Sequence, residues 1–276
     1  MDPGLRRDDE LETAMSLLPP IQPYDPTPLR GRIILVTGGA QGIGRGIAQA
    51  VLGAGGCVLI GDVDDEAGRA CLDEWDVGDA ARYIRLDVSR EGSAKRFAQT
   101  ALKRFGRIDG LVNNAGIANP HVEDLAKLSL ADWNRYIATN LTGAFLCCKH
   151  ALPALRKAKG AVVNIASSRL VQSEPHTEPY ATTKGGLFAF THALAISEGP
   201  LVRANCVSPG WVVTDAWRKP SARRAPKLSK QHPVGRVGTP EDIGALVVFL
   251  LSSQSGFITG ENFIADGGMT RKMQYA

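Results

Sequence analysis

The chain has 276 residues, 44% of them hydrophobic and 22% charged, enough for one large α/β domain with a substantial core. Its 32 basic and 28 acidic residues leave a formal net charge of +4, too mild to point to nucleic acid. No apolar run approaches the roughly 20 residues of a membrane span, and no signal-peptide core is present. The five cysteines, Cys57, Cys71, Cys147, Cys148 and Cys206, include no CxxC pair; they read as reduced core thiols of a cytoplasmic protein, with no metal site implied.

Residues 1–29 stand apart. LRRDDELETAMSLL fits a short helix, and PPIQPYDPTP then blocks helix and central strand alike. The segment reads as an arm, flexible or crossing to another subunit, and its acidic residues argue against a mitochondrial presequence. Residues 30–276 read as one Rossmann-like oxidoreductase domain. RIILVTGG opens it with a β-branched strand, Ile33 to Val36, and a glycine turn. A helix follows over Gly42 to Leu52, then a strand over 57–62, a helix in DEAGRACLDEW, and a third strand, ARYIRLDV, ending at Asp87 and Val88. A helix through SAKRFAQTALKRFG leads to a fourth strand in IDGLVNNAG. Ala131 to Ala158 carries one long helical pattern, bent or interrupted near Gly143 and Pro153. A fifth strand begins at Gly160 in GAVVNIASS, Tyr180 to Ser197 is helical, and LVRANCVSPG is a sixth strand. TPEDIGALVVFLLS opens a helix with Thr239 as N-cap, Pro240 at the first helical position and Asp242 as the reciprocal cap partner. FITGENFIADGG supplies a seventh strand.

Such alternation predicts a single doubly wound domain, a seven-stranded parallel sheet flanked by helices. One connection, about 212–238, is long; it carries the densest basic stretch, RKPSARRAPKLSK, which reads as a solvated segment. Loops of this length are commonly functional or disordered.

The glycine turn is the first chemical signal. TGGAQGIGRGIAQA puts Gly38, Gly42 and Gly44 where a tight turn, close backbone approach to a pyrophosphate and close helix packing are needed. The N-terminus of the helix that follows favours phosphate charge. There is no GxxxxGK[ST], which disfavours P-loop ATP binding. Asp62 ends the second strand, 18 residues beyond Gly44, where a carboxylate can accept hydrogen bonds from the adenosine ribose and repel a 2′-phosphate. With Gln41 rather than Lys or Arg in the turn, NAD(H) is favoured over NADP(H), although Arg45 argues the other way. Asp87 and Val88 fall where an adenine would lie.

The second signal is YATTK. Tyr180 and Lys184 are four apart, one helical turn, and share a face. The ammonium favours phenolate over phenol, which suits the Tyr to donate a proton to a carbonyl or take one from an alcohol. Ser167 or Ser168 can add a second donor by chemistry alone, and neither sits in a GxSxG elbow.

Together these pieces resemble the classical short-chain dehydrogenase/reductase family. TGGAQGIG, Asp62, NNAG at 113–116, Asn140 in TNLTG, Ser167 in NIAS, YATTK and PG followed by Thr214 match it in order and spacing along residues 31–270. The 13-residue interval to Tyr180 picks Ser167. The nearest likeness is to bacterial glucose dehydrogenase-like and 3-oxoacyl reductase-like members. The resemblance implies Tyr180 as acid/base, Lys184 as its partner and a nicotinamide-ribose ligand, Ser167 as a donor to the reacting oxygen, and Asn140 as holder of a water in a proton path. It implies cofactor contacts from Gly38, Gln41, Gly42, Ile43, Gly44, Asp62, Asp87, Val88, Asn114, Ala115, Gly116, Tyr180, Lys184, Pro209, Gly210 and Thr214. It also implies a homotetramer built on the helices of 131–158 and 180–198.

The expected activity is NAD-dependent interconversion of a secondary alcohol and its ketone. Around the site, Ala118, Asn119, His121, Arg169, Gln172, Glu174, His176, Glu178, Trp211 and Trp217 are candidate substrate contacts; their polarity favours a sugar, polyol or hydroxylated ring. Trp217, Arg218 and Lys219 fall in a loop placed to close over the site. The alternatives are a 3-oxoacyl thioester reductase and, in another class, a non-catalytic NAD-binding scaffold or redox sensor.

Overall fold

The structure, a computed structural model, describes residues 25–214 and 225–273. Most of the expected arm and Trp217, Arg218 and Lys219 lie outside the described residues. Leu29, at the end of that arm, is fully buried, and its N–H donates to the Ala54 carbonyl.

Seven strands appear in the expected order: β1 Ile33–Thr37, β2 Cys57–Asp62, β3 Ala81–Arg85, β4 Gly110–Asn113, β5 Ala161–Ile165, β6 Arg203–Pro209 and β7 Asn262–Ala265. All pair in parallel, in the spatial order β3-β2-β1-β4-β5-β6-β7. Helices α1 Gly42–Gly53, α2 Asp65–Trp75, α3 Glu91–Phe105, α4 Leu130–Tyr136, α5 Gly143–Ala158, α6 Glu178–Glu198, α7 Ala225–Gln231 and α8 Pro240–Leu251 intervene.

The two-residue repeat of a strand divides the sheet's side chains between two cores. Ile34, Val36, Val112 and Val163 pack with Ile47 and Val51 of α1 and Ile243 and Val247 of α8. Ile33, Leu35, Leu111 and Val162 point the other way, onto Phe97 of α3, Leu155 of α5 and Leu194 of α6. The α1–α8 contact is intimate because both helices carry glycine there. A Cβ on Gly46 would sit 2.3 Å from the Pro240 Cβ, and one on Gly244 would sit 2.8 Å from the Ala50 Cβ. The expected cap of α8 is present in full, with Thr239 and Asp242 in a reciprocal box. Of the cysteines, Cys71, Cys147, Cys148 and Cys206 are buried, Cys57 is partly so, and all are free thiols.

One expected boundary moves. The third strand ends at Arg85, before Asp87 and Val88. Asp87 instead folds a turn into α3, its carboxylate accepting from the Ser89 N–H and hydroxyl and from Arg90 Nε. The long helical pattern is interrupted just before Gly143, as expected, by a π-helical stretch at Ile137–Thr142, while Pro153 lies inside α5 without ending it. Extra-residue turns of this kind re-aim a side chain; here the re-aimed residue is Asn140, buried at 2% exposure.

Strand order reverses between β1 and β4. In open parallel sheets ligands bind at the carboxyl ends of the strands, at that switch point. The glycine turn follows β1, Asp62 ends β2, Asn114 follows β4, Ser167 follows β5, and Pro209 ends β6. One end of the sheet therefore collects the candidate residues from five strands.

Candidate active site

The glycine turn forms a cradle with no room for side chains. Gly38 and Gly42 have φ of 61° and 54°, in the left-handed region that favours glycine. At Gly44 steric room decides: a Cβ there would lie 2.0 Å from the Gly38 carbonyl oxygen and 2.4 Å from Asn114 Nδ2. NNAG supports the turn from the next strand. Asn114 Nδ2 donates to the Thr37 and Gly38 carbonyls, at 3.1 and 3.0 Å, and the Asn114 and Ala115 N–H groups both donate to Thr37 Oγ1. Thr214 reaches the same place from beyond β6, its Cγ2 3.1 Å from where a Gly42 Cβ would be. A bare-backbone cradle at a helix N-terminus fits a pyrophosphate.

Asp62 borders this cradle. Its Oδ2 accepts from the Ala40 N–H and its Oδ1 from the Asp64 N–H. Gln41 Nε2 donates to Asp64 Oδ2 at 2.8 Å, so two carboxylates face the region beside the turn. Arg45, the residue that argued for a phosphate there, pairs with Glu74 of α2 at 2.5 Å. Val88 packs against Gly143 at the start of α5.

Beyond β5 the second group assembles. Lys184 is 5% exposed, and its Nζ donates to the Ile165 carbonyl at the end of β5 (2.9 Å) while lying 5.5 Å from the centre of the Tyr180 ring. Ser167, two residues past Ile165, accepts from the Arg169 N–H at its Oγ (3.2 Å), an interaction that leaves its own hydroxyl proton free to donate elsewhere. Asn140 locks the group to the loop after β4. Its Oδ1 accepts from the Ile117 N–H at 2.7 Å, and its Nδ2 donates to Thr183 Oγ1, which donates in turn to the Tyr180 carbonyl. Gly116 is pressed against the same amide, with a Cβ position 3.1 Å from Asn140 Oδ1. The Asn140 side chain is thus a clamp. Pro209 ends β6, and the Gly210 N–H donates to the Ala265 carbonyl, fastening the far wall.

Beneath the site runs a buried polar relay. Asn113 and Asn164 are register partners on β4 and β5; Asn113 Nδ2 donates to Asn164 Oδ1, and Asn164 Nδ2 donates to Thr191 Oγ1 of α6, both at 2.8 Å. Asn113 also donates to Cys148 Sγ, whose thiol burial pushes up to about 12. Of this relay the sequence marked Asn113, within NNAG; Asn164, Thr191, Thr37 and Thr183 were not assigned roles, a polar residue in an apolar strand being the available signal for Asn164.

Of the candidate substrate contacts, His121, Arg169 and Glu174 come together: Arg169 Nη2 pairs with Glu174 Oε2, and His121 Nε2 lies 3.5 Å from that oxygen. The Asn119 carbonyl accepts from the Tyr136 hydroxyl, at 2.8 Å. His176 does not contribute its ring to this group; its carbonyl accepts from the Val122 N–H. Trp211 serves the far wall through its carbonyl, which accepts from the Gly238 N–H. Ala118, Gln172 and Glu178 form no part of the cluster.

Comparison with known proteins gives the class. The family profile described as enoyl-(acyl carrier protein) reductase matches residues 38–270. An uncharacterized oxidoreductase of Thermotoga maritima is 44% identical over 257 residues, covering 90% of this chain and 99% of that protein. An L-fucose dehydrogenase of Oryctolagus cuniculus is 38% identical, covering 86% and 84%. A 3-oxoacyl-[acyl-carrier-protein] reductase of Chlamydia pneumoniae is 35% identical, covering 88% and 98%. Among solved structures, a short-chain dehydrogenase/reductase from Brucella melitensis, described as a glucose/ribitol dehydrogenase, superposes with a TM-score of 0.83 at 33% identity, covering 90% of this chain and 99% of that one. The chain belongs to the short-chain dehydrogenase/reductase family, and it is an oxidoreductase of the kind that uses a nicotinamide cofactor.

Proposed function

We propose that this chain interconverts a secondary alcohol (a sugar, polyol or cyclic alcohol) and its ketone, with NAD(H) as the preferred cofactor. The observation that carries the reading is Lys184: its ammonium is anchored on the last carbonyl of β5, beside Ser167 and one helical turn from Tyr180. When bound, the nicotinamide accepts or supplies the hydride. Tyr180 moves the proton on the substrate oxygen, with the Lys184 ammonium held 5.5 Å from the centre of its ring. The Ser167 hydroxyl donates a hydrogen bond to the same oxygen, where negative charge develops as a carbonyl is reduced. With its side chain engaged by Ile117 and Thr183, Asn140 acts as a clamp, and any water relay there falls to its main-chain carbonyl. Gly38, Gln41, Gly42, Ile43, Gly44, Asn114, Ala115, Gly116, Pro209, Gly210 and Thr214 hold the cofactor, with Asp87 and Val88 at the adenine end. Asp62 accepts from the adenosine ribose, and the nearby Asp64 carboxylate and the Arg45–Glu74 pair support NAD over NADP.

The same reading makes the protein a cytoplasmic homotetramer. Phe145 on α5 and Ile196 on α6 are 47% and 83% exposed, an apolar presentation that a subunit contact would cover. No described helix is long and apolar enough to cross a membrane. A second reading, reduction of a 3-oxoacyl thioester, is favoured by the Chlamydia relative, and the matching family's description shares its acyl carrier though not its reaction. Absorbance at 340 nm across sugars, polyols, cyclic alcohols and a 3-oxoacyl thioester decides between them. Tyr180→Phe is expected to abolish turnover while leaving NADH binding intact; undiminished turnover would sink the assignment, and tighter NADPH than NADH binding would overturn the Asp62 argument. A chain that binds NADH yet turns over nothing would be the non-catalytic scaffold.

A further inference from the structure

Three charged or titratable side chains from two loops meet at the mouth of the site and take no part in the chemistry above. Glu174 pairs with Arg169, which is only 13% exposed, and the same carboxylate oxygen, Oε2, lies 3.5 Å from His121 Nε2. Glu174 Oε1 has no partner among the described residues, and the Glu174 and His121 side chains are about half exposed. The group is built in place. The Val122 N–H donates to the His176 carbonyl, at 2.9 Å, joining the two loops, and Thr177 Oγ1 donates to the Glu174 carbonyl, at 2.7 Å. It is also tied to the reacting residues from both sides. The Arg169 N–H donates to Ser167 Oγ. Asn119, two residues before His121, accepts from Tyr136 of α4, a helix that packs on α6, which carries Tyr180.

From this arrangement we infer that Glu174, held by Arg169 and flanked by His121, accepts a hydrogen bond from a second hydroxyl of the substrate, on a carbon near the reacting carbinol. The inference rests on the alcohol–ketone reading above and names its substrate class: a neutral polyhydroxylated compound. A half-exposed carboxylate with one unengaged oxygen suits hydroxyl protons, disfavours an anionic substrate by repulsion, and gains nothing from an alkyl chain. The mostly covered Arg169 acts as a positioning residue that holds the carboxylate.

The test compares Glu174→Gln with the parent chain on a panel of aldohexoses and pentitols and on cyclohexanol, a ring with one hydroxyl. One hydrogen bond to a charged acceptor corresponds to about a 10–100-fold loss of kcat/KM on the panel, carried by KM. Cyclohexanol turnover and NADH affinity are expected to stay within about 2-fold. His121→Asn is expected to raise KM on the panel by a smaller factor. Equal losses on cyclohexanol and the panel would show a structural role and overturn the inference, as would an unchanged panel. Calorimetric titration of the panel into the NADH complex reads binding without turnover. If no alcohol is oxidised yet the parent binds panel members more tightly than Glu174→Gln does, the reaction assignment fails and the subsite stands. If the parent binds none of them, the subsite fails too.

Discussion

Replacing Gly44 with alanine tests the cradle by a single methyl. The added Cβ would lie 2.0 Å from the Gly38 carbonyl oxygen, against the 3.0 Å below which such contacts are not found, so the turn has to open by about 1 Å. Helix α1 has nowhere to retreat, because Gly46 one half-turn on is already pressed against Pro240 of α8. Overpacking of this kind costs about 1–3 kcal/mol. Displacing Asn114 Nδ2, 2.4 Å from the new methyl, also breaks its bonds to the Thr37 and Gly38 carbonyls, about 1 kcal/mol each. The sum, about 3–5 kcal/mol, corresponds to a fall in melting temperature on the order of 10 °C. Gly53→Ala, at the other end of the same helix, is the control: it meets nothing within 4 Å and should be neutral or stabilising by up to about 1 kcal/mol. Thermal melts followed by circular dichroism read stability, and NADH fluorescence reads the cradle, with affinity for Gly44→Ala expected to fall at least about 10-fold. A Gly44→Ala chain that melts within 2 °C of the parent (~0.5–1 kcal/mol) and binds NADH equally well would refute the close-approach argument.

Further outcomes follow from the surrounding structure. The Arg236 hydrogen bond, with the Thr239 N–H, holds the Asp242 carboxyl down to about 2, below its ordinary range. A depressed carboxyl stabilises the fold above its unfolded value near 4 and loses that contribution as pH falls toward 2. Asp242→Asn should therefore lower the melting temperature at pH 7 and flatten its decline between about pH 4 and 2; parallel curves for the two chains would refute this. Burial raises the thiols of Cys147, Cys148 and Cys206, the last to about 11, so native protein treated with a thiol reagent at pH 8 should show at most one fast thiol, Cys57, and five after denaturation. Asp109, 1% exposed, accepts from the Ile33 N–H and from Arg107 at the amino end of the sheet. Asp109→Ala should cost about 1–3 kcal/mol, chiefly by orphaning the buried Ile33 N–H, with kcat little changed in the folded fraction; an unshifted denaturation midpoint would contradict that role.

Most of the architecture is legible in the chain order of residues. Strand and helix periods, glycine turns and the Thr239–Asp242 box are local signals, written within a few residues of where they act. DEAGRACLDEW is a helix over its whole span, and CVLIGD a strand over its whole span. The misplaced end of the third strand has a local cause too. Asp87 has strand-like neighbours, but its carboxylate organises a turn with Ser89 and Arg90 and so follows the strand rather than ending it. The break in the long helical pattern is a π stretch at Ile137–Thr142, placed by the clamp that Asn140 makes with Ile117 and Thr183, residues 23 and 43 positions away.

By itself the sequence determined the order of elements, the cradle glycines and the Tyr180–Lys184 turn, because each depends on spacing within one segment. Tertiary structure alone decided which distant groups meet. It set Lys184 on the Ile165 carbonyl, occupied Arg45 with Glu74, aligned Asn113 with Asn164 across two strands, and gathered His121, Arg169 and Glu174 at one mouth. The physical reason is that these contacts are set by strand order and by the loops at one end of the sheet, and no periodicity along the chain encodes them.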